Sequence, residues 1–340
     1  MAQLPARRPA ALAMRPAVAA ALFAGRARRR LLDLVDVDPA LVLQDLHSPA
    51  ARTALAGAEV LVTGWGCPPI DARTLRAAPR LRAVVHTAGS VKDLVTEACW
   101  DRGIQVTSAA AANAAPVAEY TLATILLANK RVLYARDEYA RLRDGDADWH
   151  VRLAGAGNYR RRVGIVGASR IGRRVVALLR GFDLEILLSD PYLDPDEAER
   201  LGVRLTGLPE LFASCDTVSI HAPLLDRTAG MVTRALLAAM PDGATLINTA
   251  RGDLIDQQAL EEELVSGRIA AVLDVTTPET LPASSPLYAL PNVLLTPHIA
   301  GSMGNELQRM ADFALDELER WTRDLPFADP VHRAAWDRSA

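Results

Sequence analysis

Short apolar runs alternate with helical patterns from early in the chain. Leu61-Val62 runs into Thr63-Gly64-Trp65-Gly66, residues 83–86 into Thr87-Ala88-Gly89-Ser90, and 104–106 into Thr107-Ser108. Amphipathic stretches such as 91–102 lie between them. Apolar runs of this length, closed by turn residues at their C-ends, are the pattern of a parallel sheet with crossover helices. A long helical pattern follows over 117–143, then a polar stretch rich in Gly, Asp and Arg up to 162. A second α/β series begins there, with strands predicted at 163–166, 184–189, 217–220, 244–248, 271–275 and 293–295. Six strands separated by helices is the count of a doubly wound dinucleotide fold. A last helix is predicted over 305–323, and the tail 326–340 reads as a loosely held extension. The fold class is therefore α/β, with two doubly wound parallel-sheet domains. Residues 1–116 with 302–340 form one, discontinuous in sequence, and 117–301 form the other.

Composition narrows the chemistry. The 340 residues are 50% apolar and 23% charged, with 38 basic against 41 acidic side chains and a net charge of -3. Only Lys92 and Lys130 are lysines, and neither follows a glycine-rich turn, which argues against a P-loop NTPase and against lysine-imine chemistry. Cys67, Cys99 and Cys215 are far apart and in no CxxC pair, so they fit a reducing, cytoplasmic setting and give no metal site. Arg7 and Arg8 precede an Ala-rich stretch, but Arg15-Pro16 interrupts the continuous apolar run that a signal segment needs. The stretch 103–129 holds Gln105, Asn113 and Pro116 and reads as strand, loop and core helix, with no membrane partner expected. The arginine clusters at 26–30 and 160–162 lack interleaved aromatics and read as solvated faces, with no nucleic-acid partner.

The segment Arg162-Val-Gly-Ile-Val-Gly167-Ala-Ser169-Arg170-Ile171-Gly172 is a strand, a turn and a helix start, and Asp190 closes the next strand. A dinucleotide pyrophosphate would sit on backbone N–H groups at such a helix N-terminus. Gly167 serves the tight turn and Gly172 the close packing of helix on strand, while Ser169 replaces the middle glycine of GxGxxG. An Asp190 carboxylate would accept both ribose hydroxyls of NAD, and Pro191-Tyr192 offer no cation for a 2′-phosphate, so NAD (NADH) is preferred to NADP. The same residues also fit an ordinary strand-turn-helix and an Asp-Pro turn, so this segment alone leaves both readings open.

Three strand ends carry concentrated polar chemistry: Asn248-Thr249-Ala250-Arg251-Gly-Asp253, Asp274-Val-Thr-Thr-Pro-Glu279, and Thr296-Pro-His298-Ile-Ala-Gly301. Taken singly, each of Arg251, Glu279 and His298 also reads as a solvated loop residue. Strand C-ends of an open parallel sheet line one crevice, so the three would converge there. An arginine fork binds carboxylate, a histidine moves the hydroxyl proton, and a glutamate orients the histidine and favours its charged form.

These segments, with His221-Ala-Pro223, the run from Ser266 to Val275, Ala115-Pro-Val-Ala-Glu-Tyr-Thr121 and Asn292–Gly301, resemble the D-isomer-specific 2-hydroxyacid dehydrogenase family over about 55–323. The resemblance implies a Rossmann NAD-binding domain and a flavodoxin-like substrate domain. It implies Arg251 as substrate-binding arginine, Glu279 as its glutamate and His298 as acid/base. Asp274 matches the residue that holds the nicotinamide carboxamide. Gly167, Ser169, Arg170, Ile171, Gly172, Asp190, His221, Thr249, Ala250 and Gly301 fall at cofactor positions, and the Ala88-Gly89-Ser90 turn at the substrate carboxylate. The expected activity is the reversible reduction of a small 2-keto acid, of the hydroxypyruvate or glyoxylate type, to its D-2-hydroxy acid, with hydride exchanged across the crevice between the domains. Thr276 stands for the usual Phe and Thr280 for the usual Pro, and one residue is absent near 269–271. Glu279, where formate dehydrogenases carry Gln, argues against that branch, and the loop 63–70 has no basic residue for a phosphorylated acid such as 3-phosphoglycerate. A rival reading is an NAD(H)-sensing corepressor that binds protein partners. The polar excursion 143–162 resembles the segment that clasps a second subunit, which implies a homodimer.

Overall fold

The structure, a computed structural model, describes residues 7–143 and 145–336. The chain divides into two compact units: one runs to Asn113 and resumes at Ser302, and the other is Ala114–Gly301. The first division falls within a helix, Ala110–Asn129, that runs through Pro116. The alanines before that proline are the strongest helix formers and carry the helix past a residue that ordinarily stops one. The helical pattern over 117–143 is two helices, the second being Val132–Leu142, because Arg131 between them takes a left-handed φ of 53°.

In the first unit β1 (Arg8–Ala13) pairs in parallel with β2 (Val35–Asp36), β3 (Val42–Leu43) and β4 (Val60–Thr63). Next to β4 lies β5 (Ala83–His86), and next to that β6 (Gln105–Ser108), again parallel. The Ala-rich N-terminal stretch is thus a central strand, which its composition hides because alanine is a poor strand former. Arg15-Pro16 is the turn from β1 into the helix Pro16–Leu22, with proline at its first position.

The second unit is one parallel sheet of seven strands: β7 (Arg162–Val166), β8 (Glu185–Ser189), β9 (Arg204–Leu205), β10 (Thr217–Ile220), β11 (Thr245–Asn248), β12 (Ala270–Leu273) and β13 (Val293–Leu295). The order is β13-β12-β11-β10-β7-β8-β9, one strand more than the sequence pattern predicts. The extra strand, β9, has two residues, too few for any periodicity to register. Alternate residues enter opposite cores: Val166, Leu187, Leu246 and Ala271 pack with Phe212 on one face, and Ile165, Leu188, Ile247 and Val272 with Val176 on the other. The order reverses between β10 and β7, which puts the switch point, the preferred ligand crevice of such sheets, at the end of β7.

After this sheet the chain returns to the first unit through the helix Leu307–Thr322, whose Met310, Leu315, Leu318 and Trp321 pack with Leu12, Val62 and Val85. The tail beyond it is anchored as far as Trp336, against expectation. β14 (Pro330–Val331) adds antiparallel to β6, giving the order β14-β6-β5-β4-β1-β2 with β3 also on β1. The buried Glu317 carboxylate accepts the N–H groups of Ala328 and Asp329, and Trp336 meets Trp100 edge-on at 6.2 Å. Among the described residues no helix is long and apolar enough to cross a membrane, and no group of acidic, His and Cys side chains is placed to hold a metal.

Candidate active site

The turn after β7 fits a dinucleotide. Gly167 takes φ +99°, and a Cβ there would lie 2.7 Å from the main-chain nitrogen of Ala222. A Cβ on Gly172 would run into the Gly167 carbonyl, so both glycines are required by contact. Ser169 is the N-cap of the helix Arg170–Leu179: at φ -64° it needs no glycine, and its Oγ accepts the Gly172 N–H at 3.2 Å. Its hydroxyl oxygen therefore caps the helix from an unstrained backbone position, a task the middle glycine of the motif cannot perform. Arg170 is exposed in the first helical position and Ile171 packs half-buried on the core. Asp190 reaches back to the turn, its Oδ2 accepting from Ala168 N–H at 2.7 Å and its Oδ1 from Tyr192 N–H at 2.8 Å.

His221 lies at the end of β10, beneath that turn. Its N–H donates to Val166 and its ring is buried with Nε2 2.9 Å from Ser219 Oγ. Burial pushes the imidazole down to about 3, so this ring is a neutral support for the turn rather than a proton carrier.

Three loops hold the reactive candidates, all within the second unit. After β11, Asn248 folds the loop onto itself, accepting from Ala250 N–H at 3.0 Å and donating through Nδ2 to the Arg251 carbonyl at 2.8 Å. Thr249 is buried, 3.2 Å from Thr121 between hydroxyl oxygens, and Arg251 donates one N–H to the Ala250 carbonyl. Gly252 is obligatory because a Cβ would collide with the main chain of Thr276, which joins this loop to the next. There Thr276, in place of the usual aromatic residue, ties the loop through its Oγ1 to the carbonyls of Pro278 at 2.7 Å and Glu279 at 3.3 Å. Glu279 Oε1 lies 2.5 Å from His298 Nδ1.

The His298 loop is fastened by Asp274, which is 1% exposed. Its Oδ1 accepts from Thr296 Oγ1 at 2.7 Å and Ile299 N–H at 2.8 Å, and its Oδ2 from Ala300 N–H at 2.8 Å, beside Gly301. Tyr120 reaches Thr296 at 2.9 Å between hydroxyl oxygens. Sequence reasoning does not single out Asn248, Thr296 or Tyr120, although each falls within or beside a quoted signature.

Ala88, Gly89 and Ser90 lie in the other unit, in the turn after β5. His86 stands behind that turn: its Nδ1 is 2.8 Å from Thr63 Oγ1, and a hydrogen bond to the Ser90 main chain works against the burial that pushes it down to about 4. The 63–70 loop has no basic residue of its own, but the fold brings Arg15 against it. Arg15 N–H donates to the Trp65 carbonyl at 2.9 Å, and a Cβ on Gly66 would lie 2.5 Å from Arg15 Cγ.

The family model described as D-isomer specific 2-hydroxyacid dehydrogenase, NAD binding domain, matches residues 122–300. A glyoxylate reductase of Korarchaeum cryptofilum is 36% identical over 257 residues, covering 75% of this chain and 77% of that protein. A D-3-phosphoglycerate dehydrogenase of Mycobacterium tuberculosis is 35% identical over 242 residues, and the match spans 71% of this chain but only 45% of that protein's length. Among solved structures, the TT0316 protein of Thermus thermophilus superposes with a TM-score of 0.74 at 32% identity, covering 95% of this chain and all of that one.

Proposed function

The chain belongs to the D-isomer specific 2-hydroxyacid dehydrogenase family, and from that premise we propose that it is an NAD-dependent oxidoreductase interconverting a small 2-keto acid and its D-2-hydroxy acid. The observation that carries this reading is the 2.5 Å contact of His298 Nδ1 with Glu279 Oε1, on loops from successive strand ends. With Nδ1 facing a carboxylate, that nitrogen carries its hydrogen toward Glu279, and Nε2 is the atom that exchanges a proton with the substrate oxygen. Arg251 keeps part of its fork beyond the bond to Ala250 and pairs with the substrate carboxylate. A nicotinamide dinucleotide, when bound, would supply or accept the hydride. The glycine turn, the Ser169 cap and the Asp190 carboxylate orient the dinucleotide, and Asp274 keeps the histidine loop in register.

NAD is preferred to NADP because the Asp190 carboxylate, fixed by two main-chain N–H groups, suits ribose hydroxyls and repels a phosphate. Glyoxylate and hydroxypyruvate are the substrates proposed, in keeping with the glyoxylate reductase likeness. A homodimer is part of the same reading: a groove of about 340 Å³ is lined by Leu127, Val132, Ile269, Leu294 and the exposed Tyr134. A cytoplasmic setting fits the three free cysteines, two of them buried. The test is NADH oxidation with glyoxylate, hydroxypyruvate, pyruvate, branched 2-keto acids and 3-phosphohydroxypyruvate, alongside light scattering for the dimer. NADH binding without turnover of any acid overturns the enzyme reading and leaves the sensor.

A further inference from the structure

We infer that Arg227 is a second determinant of cofactor choice, a cation placed for the 2′-phosphate of NADP that Asp190 keeps from use. The inference rests on the dinucleotide reading of the turn after β7. Asp190 and Tyr192 follow β8, Arg227 follows β10, and β7 lies between these strands. The Arg227 guanidinium lies over the Tyr192 ring, its Cζ 5.7 Å from the centroid, so the pair spans the end of β7 where the glycine turn sits.

Both halves of the span are anchored. Tyr192 N–H holds Asp190 Oδ1 at 2.8 Å, which ties the ring's main chain to the ribose-reading carboxylate. Thr228, next to Arg227, donates to the Pro223 carbonyl at 2.7 Å and accepts from Leu225 N–H at 2.8 Å, so the arginine rises from a braced loop. Among the described residues Arg227 forms no ion pair, and its planar fork suits a phosphate. A ribose turned toward Asp190 would bring its 2′ position between a carboxylate and this guanidinium. With NAD the carboxylate governs. With NADP the two charges oppose each other, so removing Asp190 leaves the attraction of the guanidinium unopposed. No cation is visible in the residues that follow Asp190 in sequence; the fold imports one from another strand end.

The experiment compares the wild type, Asp190→Ser, Arg227→Ala and the double variant, in kcat/KM for NADH and NADPH with whichever keto acid the wild type turns over. Asp190→Ser is expected to raise NADPH use, and adding Arg227→Ala to that background to lower it by about tenfold, at least fivefold more than it lowers NADH use. Equal effects on the two cofactors overturn the inference. Because Asp190 also braces Ala168, a parallel readout keeps the native aspartate: calorimetric binding of adenosine 2′,5′-bisphosphate and of 5′-AMP to wild type and Arg227→Ala. Selective weakening of the bisphosphate supports the role, and equal affinities overturn it. If neither nucleotide nor NADH binds at all, it is the dinucleotide reading that fails.

Discussion

Asp274 holds His298 by the loop and not by the ring. The His298 N–H donates to the Asp274 carbonyl at 2.9 Å, while the Asp274 carboxylate takes the N–H groups of Ile299 and Ala300 just beyond it. The histidine sits at φ 55°, a left-handed conformation that a side-chain-bearing residue keeps only where its surroundings impose it. Asp274→Asn puts an amide where both oxygens accept, so at least one buried N–H loses its partner at a cost of about 1–3 kcal/mol. Displacing His298 by an ångström is expected to lower kcat by about 100-fold. Steady-state kinetics with a thermal melt checks this, and full kcat in a folded variant would sink it.

His298→Asn removes the proton carrier while leaving the glycine turn intact, so turnover is expected to fall by about 10²- to 10⁴-fold with the NADH Kd within threefold of wild type. Glu279→Gln keeps a hydrogen-bond acceptor for Nδ1 but loses the charge, so its loss of turnover is smaller than that of His298→Asn. A variant at His298 with wild-type turnover rejects the role outright.

How much of this arrangement is legible in the sequence depends on the distance over which residues speak. The long strands of the second unit, with runs such as Val163–Val166 and Thr217–Ile220, announce themselves because each is buried on both faces. β1 does not, since alanines and an arginine hide a central strand, and β9 and β14 are too short for any pattern. Arg251, Glu279 and His298 stand out because each ends a readable strand. The partners that place them do not: Thr296 on Asp274, Gly252 against Thr276, Arg15 against Gly66 and Arg227 over Tyr192 are neighbours only after folding.

Ser169 looks like a defect in the glycine motif and is a helix cap in the structure. Ser169→Gly keeps the turn geometry and loses one capping bond, a change of a few tenths of a kcal/mol, whereas Ser169→Ala costs about 1 kcal/mol. NADH affinity is expected to stay within threefold in Ser169→Gly, measured by fluorescence titration. A tenfold gain would show instead that the serine Cβ obstructs the pyrophosphate.

Each unit buries one neutral histidine, His86 held near 4 and His221 near 3 by desolvation. Unfolded histidine titrates at about 6.5, so as pH falls below that value the unfolded chain takes up protons that the folded chain refuses. Stability is therefore fully present above about pH 6.5 and declines toward the folded values, by roughly 2 kcal/mol per histidine between pH 6.5 and 5. The half-buried Asp71 carboxylate, held down to about 2 chiefly by the Thr74 N–H, contributes only below that window. Urea midpoints at pH 7.5 and 5.0 are expected to differ in the wild type. His86→Asn should flatten the difference for the unit that holds β1, and His221→Asn for the unit that holds the glycine turn. Midpoints that do not move with pH, or slopes that survive both substitutions, would mean that these rings ionise in place and are not neutral supports.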